Sequence, residues 1–426
     1  MGFLDWLKRL LGIGPPKRDI SRLAGVPEAQ VEAVEEEIDL SGGPLKSGHL
    51  RRALRDRRLL PKKRGIARIT GLEKRPRYME AEEAGRLFSG TMRTCDRKIR
   101  DLLADEAQLE RYGLPAWRDE HELAAALEIS IGELRFFSIH REMERAAHYV
   151  TFAIPKRGGG RRLIMAPKRR LKEIQRKLHQ RLVSRLPVSD HAHGFRCGRS
   201  IRSGAAPHLG RRVVLHMDIK DFFPSIHFGR VRGMLVAMGY GYPVATTLAV
   251  LMTEAPRQPT DVDGTIYHVP VGSRYCVQGA PTSPGLSNAL LQRMDRRLAG
   301  AARSVRFAYT RYADDLSFSG DDIEAAHRLQ HLASRIIEEE GFAVNREKTR
   351  VMRRGSRQTV TGVVVNEQLG LSRKRRRLLR AELHRAGEQV RNGNADAKLL
   401  ARLRGKLAYV AMLNQKQAAT LRRSFL

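Results

Sequence analysis

Cysteine is scarce in this 426-residue chain. Cys95, Cys197 and Cys276 are odd in number and far apart. This argues against a disulfide framework and suits a reducing compartment. No apolar run is long enough to span a bilayer, and no signal peptide is evident. Met1-Gly2 is followed by Trp6, not by the Ser or Thr that a myristoylation signal wants at that position. These absences predict a cytoplasmic protein without a membrane anchor. Acidic residues are also outnumbered, 46 Asp plus Glu against 79 Lys plus Arg, a formal charge of +33. That surplus implies a polyanionic partner, most simply nucleic acid, with an acidic membrane surface as the rival. The length allows two or three domains.

What is present centres on Tyr312-Ala313-Asp314-Asp315. Val305 to Tyr309 is β-rich, and Leu316-Ser317-Phe318-Ser319 alternates apolar with polar residues. The pattern predicts a β-hairpin with the two carboxylates at its tight turn. Adjacent carboxylates repel each other unless a cation compensates them. By itself such a pair would be a solvated turn. A second stretch changes that reading, because Val213-Val214-Leu215-His216-Met217-Asp218 is an apolar strand ending in a carboxylate. Paired in space, the three Asp could bind two divalent metals, one activating a hydroxyl and one stabilising departing pyrophosphate.

The two stretches resemble motifs C and A of reverse transcriptases. Gln278-Gly279-Ala280-Pro281-Thr282-Ser283-Pro284 lies between them and resembles motif B. Val360-Thr361-Gly362 matches a signature of the bacterial retron branch. In Gly204-Ala205-Ala206-Pro207-His208 a second retron signature is partial, since Gly204 stands where the family commonly has Asn. The resemblance covers about residues 120 to 426. It implies an α+β right-hand polymerase with fingers, palm and helical thumb. Residues 1–115 would be a basic, mostly helical N-terminal extension, 116–366 the fingers and palm, and 367–426 the RNA-binding thumb.

Within the extension, Phe3, Trp6, Leu7, Leu10 and Leu11 share one face of a short amphipathic helix. Residues 45–77 are densely basic, a linker or an RNA-contacting arm, and 80–112 look helical. Further on, Leu123, Leu127, Ile131 and Leu134 have helical spacing. Pro155 to Ile164 reads as a Gly-turned basic hairpin resembling the family's fingertip. There Lys156 and Arg161 would bracket the nucleotide triphosphate, Arg through its planar fork. A helix from Leu171 to Leu186 follows. His191, His193 and Cys197 fit no standard zinc spacing and lack a fourth ligand. Phe223 aligns with the steric gate that favours dNTP over NTP, and Asp221 suits a structural role. Helices are expected over 230–238 and 243–252, with a local hairpin over 256–270. Gln278 is expected to contact nucleotide or template, and Gly279 to let backbone approach them. A helix led by Ser287 and Asn288 follows. Asp321-Asp322 opens a helix reaching about Glu340. Lys348 lies in a stretch resembling motif D and is the candidate proton donor to pyrophosphate. Val360, Thr361 and Gly362 would form a primer grip. Lys374, Arg375 and Arg376 begin the first of three basic thumb helices, suited to gripping an RNA stem-loop.

The resemblance implies RNA-templated DNA synthesis with two Mg²⁺, or Mn²⁺ in their place, held by Asp218, Asp314 and Asp315. In retrons the first primer is the 2′-OH of a guanosine in the cognate non-coding RNA (msr-msd). The product is branched multicopy single-stranded DNA, msDNA. dNTPs, an effector protein in phage defence and a host RNase H are the other implied partners. Group II intron enzymes share the palm but carry a tail for which this sequence leaves no room after the thumb. Other bacterial reverse transcriptases, such as the diversity-generating ones, fit the Val360-Thr361-Gly362 signature less well. A non-catalytic RNA-binding scaffold would not need the intact Asp triad.

Overall fold

The computed structural model describes residues 103–138, 147–155, 161–262, 265–394 and 396–423. The expected helix over residues 3–12, the basic stretch 45–77, Lys156 and residues 80–102 of the expected helical stretch 80–112 lie outside the described residues. The chain first forms α1 (Glu106–Arg111), α2 (Glu120–Leu127), α3 (Ile131–Ser138), β1 (Tyr149–Pro155), β2 (Arg161–Pro167) and α4 (Arg169–Arg181). Next come α5 (Ile201–Ala205), β3 (Val213–Lys220), α6 (Phe228–Ala237), α7 (Tyr242–Met252), β4 (Arg257–Val262) and β5 (Thr265–Pro270). Then follow α8 (Ser283–Leu290), α9 (Gln292–Ser304), β6 (Ala308–Tyr312), β7 (Asp315–Gly320), α10 (Ile323–Glu339), β8 (Ala343–Val344) and β9 (Arg350–Arg353). The last elements are β10 (Thr359–Val360), β11 (Val363–Val364), α11 (Arg373–Arg391), α12 (Ala397–Leu413) and α13 (Gln415–Arg422). Two compact units result, each discontinuous in sequence. One takes the described residues up to Arg185 with Ile226–Ser283, the other Leu186–Ser225 with those from Pro284 onward.

In the first unit, α2 starts where the Asp119 carboxylate accepts the Glu122 N–H at 2.8 Å. It stops at Glu128, which is left-handed with φ 54°. The Leu123–Leu134 periodicity therefore serves two helices, the second capped by Ser130 through the Glu133 N–H. α4 buries Leu171, Ile174 and Leu178, and a 3-10 turn, Val183–Arg185, takes up the end of the expected longer helix. α7 is apolar on nearly all sides and buries Val244, Leu248, Leu251 and Met252, as a central helix must. Gln175 ties the layers by donating to the Leu251 carbonyl at 2.8 Å and to the Tyr149 hydroxyl at 2.7 Å. β1 and β2 pair antiparallel from Tyr149↔Pro167 to Pro155↔Arg161, the expected basic hairpin. β4 and β5 form the expected local one.

The second unit is built on a five-stranded antiparallel sheet in the order β6-β7-β3-β8, with β9 also on β3. Val213 to Ile219 are all buried, so β3 is covered on both faces and reads as a continuous apolar run. Ser317 and Ser319 are buried as well, so the alternation in β7 does not mark a solvent face. The helix expected from Ser287 begins earlier, at Ser283, and is interrupted at Leu291. The Ser287 hydroxyl donates back to the Pro284 carbonyl at 2.7 Å, a bond that bends helices. Asp322 caps α10, and left-handed Gly341 (φ 76°) follows its end. α11, α12 and α13 bury Leu379, Leu383, Leu403, Val410, Leu413 and Leu421 in one cluster with Val360, Val363, Val365 and Met352. Val360-Thr361-Gly362 thus forms the turning end of a hairpin. Thr361 and Gly362 are the left-handed turn (φ 48° and 78°) of a two-residue hairpin whose valines anchor the cluster.

Candidate active site

Strand register brings the three predicted carboxylates together. Asp218 pairs with Asp315 across β3 and β7, and Tyr312 pairs with Asp315 across β6 and β7. The turn between β6 and β7 is Ala313-Asp314, so Asp315 itself opens β7. Ala313 is left-handed, φ 56°. The Asp314 carbonyl accepts the Ile219 N–H at 3.1 Å, which laces the turn to the end of β3. The Asp218 carbonyl accepts the Asn345 N–H at 2.8 Å and ties the loop after β8 to the same place.

The electrostatics are those of a site short of positive charge. Burial, then repulsion from Asp314 and Asp218, pushes the Asp315 carboxyl up to about 7. Lys348 Nζ donates to both oxygens of the buried Asp218, at 2.9 and 3.0 Å. Among the described residues no three His, Cys, Asp or Glu side chains close into a metal cage. The triad is an open constellation in which a lysine ammonium compensates one member. Oxygen donors on adjacent strand ends, with a raised carboxyl among them, are the chemistry that a hard divalent cation satisfies. Such a cation would compete with Lys348 for Asp218. His216 Nε2 lies 3.6 Å from Asp315 Oδ1. Burial, then Arg350, pulls this imidazole down to about 4, so it is neutral at pH 7.

The other predicted residues fall in different places. Phe223 is half-buried and meets Phe222 edge-on at 5.2 Å, and Phe222 packs on Phe342. Asp221 is left-handed (φ 45°), and its carbonyl closes a turn with the Ser225 N–H, a structural role as expected. Arg161 and Gln278 belong to the first unit. Arg161 is exposed at the start of β2. The Gln278 carbonyl accepts the Met165 N–H at 2.9 Å. A Cβ on Gly279, where φ is +129°, would stand 2.7 Å from the Met165 carbonyl oxygen. Packing against β2 already requires this glycine. Lys374 and Arg375 are exposed near the start of α11, with Arg376 half-buried, and the Ser372 hydroxyl accepts the Arg375 N–H. His191 and His193 are engaged by the Tyr309 carbonyl and the Ser203 hydroxyl.

Two buried networks were not anticipated. Arg311, next to the Ala313-Asp314 turn, forms two 2.8 Å bonds to the Asp295 carboxylate of α9, with both side chains fully buried. It also donates to Asn288 Oδ1 at 3.0 Å and to the Ala313 carbonyl at 3.3 Å. Tyr309 donates to Asp295 at 2.7 Å, and Asn288 donates to the Gly194 carbonyl. In the second network, buried His208 bridges the Ser319 and Thr310 hydroxyls at 2.7 Å each. Gly204 lies against His193, where a Cβ would approach the His193 Cβ to 3.2 Å. A lone Arg on a β-rich strand was the one local signal of the first network.

The reverse transcriptase (RNA-dependent DNA polymerase) family matches residues 154–376. The chain is 62% identical to the retron Mx65 reverse transcriptase of Myxococcus xanthus, over 92% of this chain and 90% of that one. It is 41% identical to the retron Mx162 reverse transcriptase of the same organism, over 78% and 72%. To the retron Ec86 reverse transcriptase of Escherichia coli it is 30% identical, over 65% and 81%. A carboxylate triad set by strand register, on a chain matched over nearly its whole length, leads to one assignment: it belongs to the retron reverse transcriptases and is an RNA-directed DNA polymerase.

Proposed function

We propose that the chain copies its cognate retron non-coding RNA into branched msDNA, starting from an RNA 2′-OH, with Asp218, Asp314 and Asp315 holding two Mg²⁺. The observation that carries this reading is the pairing of Asp218 with Asp315 beside the Asp314 turn, with Asp315 raised to about 7 by burial and by the two neighbouring carboxylates. When bound, Mg²⁺ favours the alkoxide form of the attacking hydroxyl and offsets charge on the leaving pyrophosphate. Lys348, once released from Asp218, supplies a proton to the leaving group. Lys156 and Arg161 bind the triphosphate, and Gln278 contacts the nucleotide or template base. Phe223 excludes the 2′-OH of an NTP, so Phe223→Ala raises ribonucleotide incorporation. Val360, Thr361 and Gly362 position the primer, their hairpin being fixed by the thumb cluster. Lys374, Arg375 and Arg376 hold an RNA stem through its backbone.

In this reading residues 1–115 are an extension, 116–366 fingers and palm, and 367–426 thumb. The enzyme works in the cytoplasm, a host RNase H removes template, and an effector protein couples the product to phage defence. Among the described residues no helix is long and apolar enough to cross a membrane.

The test is co-expression with the neighbouring non-coding RNA, extraction, debranching and a denaturing gel. A discrete RNase-resistant DNA is expected with the intact chain and not with Asp314→Asn, Asp315→Asn. Extension of a generic primed RNA without any such DNA would overturn the msDNA assignment and keep the polymerase.

A further inference from the structure

Phe195 is poorly served by its own fold. Its side chain is 52% exposed and its backbone is left-handed, φ 56°. A bulky residue adopts that conformation at a cost that Gly or Asn would largely avoid. An exposed apolar ring on such a backbone returns little to folding. Outliers of this kind gather where a ligand is handled.

Its neighbourhood names the ligand. The Phe195 ring centroid is 5.9 Å from that of Tyr312, the residue that leads into the catalytic turn. The placement is fixed from both sides. A Cβ on Gly194 would come within 3.1 Å of the Ala313 nitrogen and 3.2 Å of Tyr312 Cδ1, so the backbone there is pressed against the turn. Asn288 Nδ2 holds the Gly194 carbonyl at 2.7 Å. After the ring, Arg196 is held by the Ser189 carbonyl at 3.0 Å and by Asp190. A third aromatic, Tyr409 of α12, is 36% exposed. Burial raises its phenol, Arg375 opposes that and Tyr312 adds to it, which places all three groups within electrostatic reach. Exposed rings beside a fixed cation are how single nucleotides are gripped without regard to sequence, since every base has a π-face.

We propose that Phe195, with Tyr312, is a stacking platform for a nucleotide of the primer–template duplex beside the catalytic turn. The proposal rests on the polymerase reading of the Asp triad. It adds a residue that neither the sequence motifs nor the carboxylate geometry assigned. The ring sets the register of the duplex end, and the acquired contact offsets the strain of its backbone.

The experiment uses the full chain and a DNA primer on an RNA template. 2-Aminopurine stands at the primer 3′ end in one arm and in the opposing template position in the other. With the intact chain, binding quenches fluorescence in one arm, and that arm identifies the strand. Phe195→Gly abolishes the quenching and raises KM for primer–template about tenfold, with kcat little changed. Its melting temperature stays within about 2 °C of the intact chain. Phe195→Tyr restores both quenching and KM. Quenching and KM left intact in Phe195→Gly would overturn the proposal. So would a melting temperature that falls in step with them, because the ring would then be a packing residue. Failure of the intact chain to incorporate dNTP would sink the polymerase reading instead, while the fluorescence still reports the stack.

Discussion

Replacing Asp295 by Ala removes the carboxylate from a pair with no solvent exposure on either side. The Arg311 guanidinium then stays buried with neutral partners alone, Asn288 Oδ1, the Ala313 carbonyl and the Tyr309 hydroxyl. Breaking one side of a buried pair costs about 3–5 kcal/mol. Domains of 150–250 residues shift by about 2–4 °C per kcal/mol, so Tm should fall by about 6–20 °C. A triple variant separates stability from geometry. Arg311→Met with Asp295→Leu removes both charges, and Tyr309→Phe removes the hydroxyl that would lose Asp295 as acceptor. Apolar replacements of a buried pair are often neutral or stabilising, so most of the lost Tm returns. The hold of Arg311 on the Ala313 carbonyl does not return. Primer extension at 15 °C, read beside thermal unfolding, should therefore stay low in the triple variant. A Tm drop under about 3 °C for Asp295→Ala would refute the burial argument. Full extension by the triple variant would refute the claim that Arg311 holds the turn.

Burial, followed by the charges of His193 and Arg211, holds His208 at about 3, so it stays neutral between its two hydroxyl partners. The unfolded chain takes up that proton near pH 6.5, so stability is lost as pH falls from there toward 3, by up to ~1.4 kcal/mol per unit. Urea unfolding from pH 7 to 5 should give a shallower loss for His208→Gln, and an equal slope would count against the assignment. Gly279→Ala should destabilise by more than about 1 kcal/mol, because its Cβ would meet the Met165 carbonyl at 2.7 Å and φ is +129°. Gly300→Ala is the control, since a Cβ there meets nothing within 4 Å, and equal stability of the two variants in denaturant would contradict the packing account.

The carboxylate triad was legible because its signal is local, with an apolar run leading into Asp218, although the strand goes on to Lys220, and a hairpin carrying Asp314-Asp315. Helices α11 to α13 and the β1–β2 pairing were readable for the same reason, since periodicity and turn residues act over a few positions. Asp295, in contrast, reads as one more polar residue on a helix. Only the folded chain brings it to Arg311, 16 positions away. His208 likewise finds Thr310 across 102 positions. Gly279 was readable as a loop glycine, but its close approach to Met165 of β2 was not. The break at Glu128 escaped because the leucine spacing runs through it while the backbone does not.

β3 has a consequence for synthesis. Every strand that pairs with it, β7, β8 and β9, follows it in the chain. About 100 residues must be translated after Asp218 before Asp315 exists, some 5–20 s at ribosomal rates. During that interval β3, apolar but for His216, Asp218 and Lys220, has no partner strand to join. The pairing of Asp218 with Asp315 consequently waits until both strands have been made.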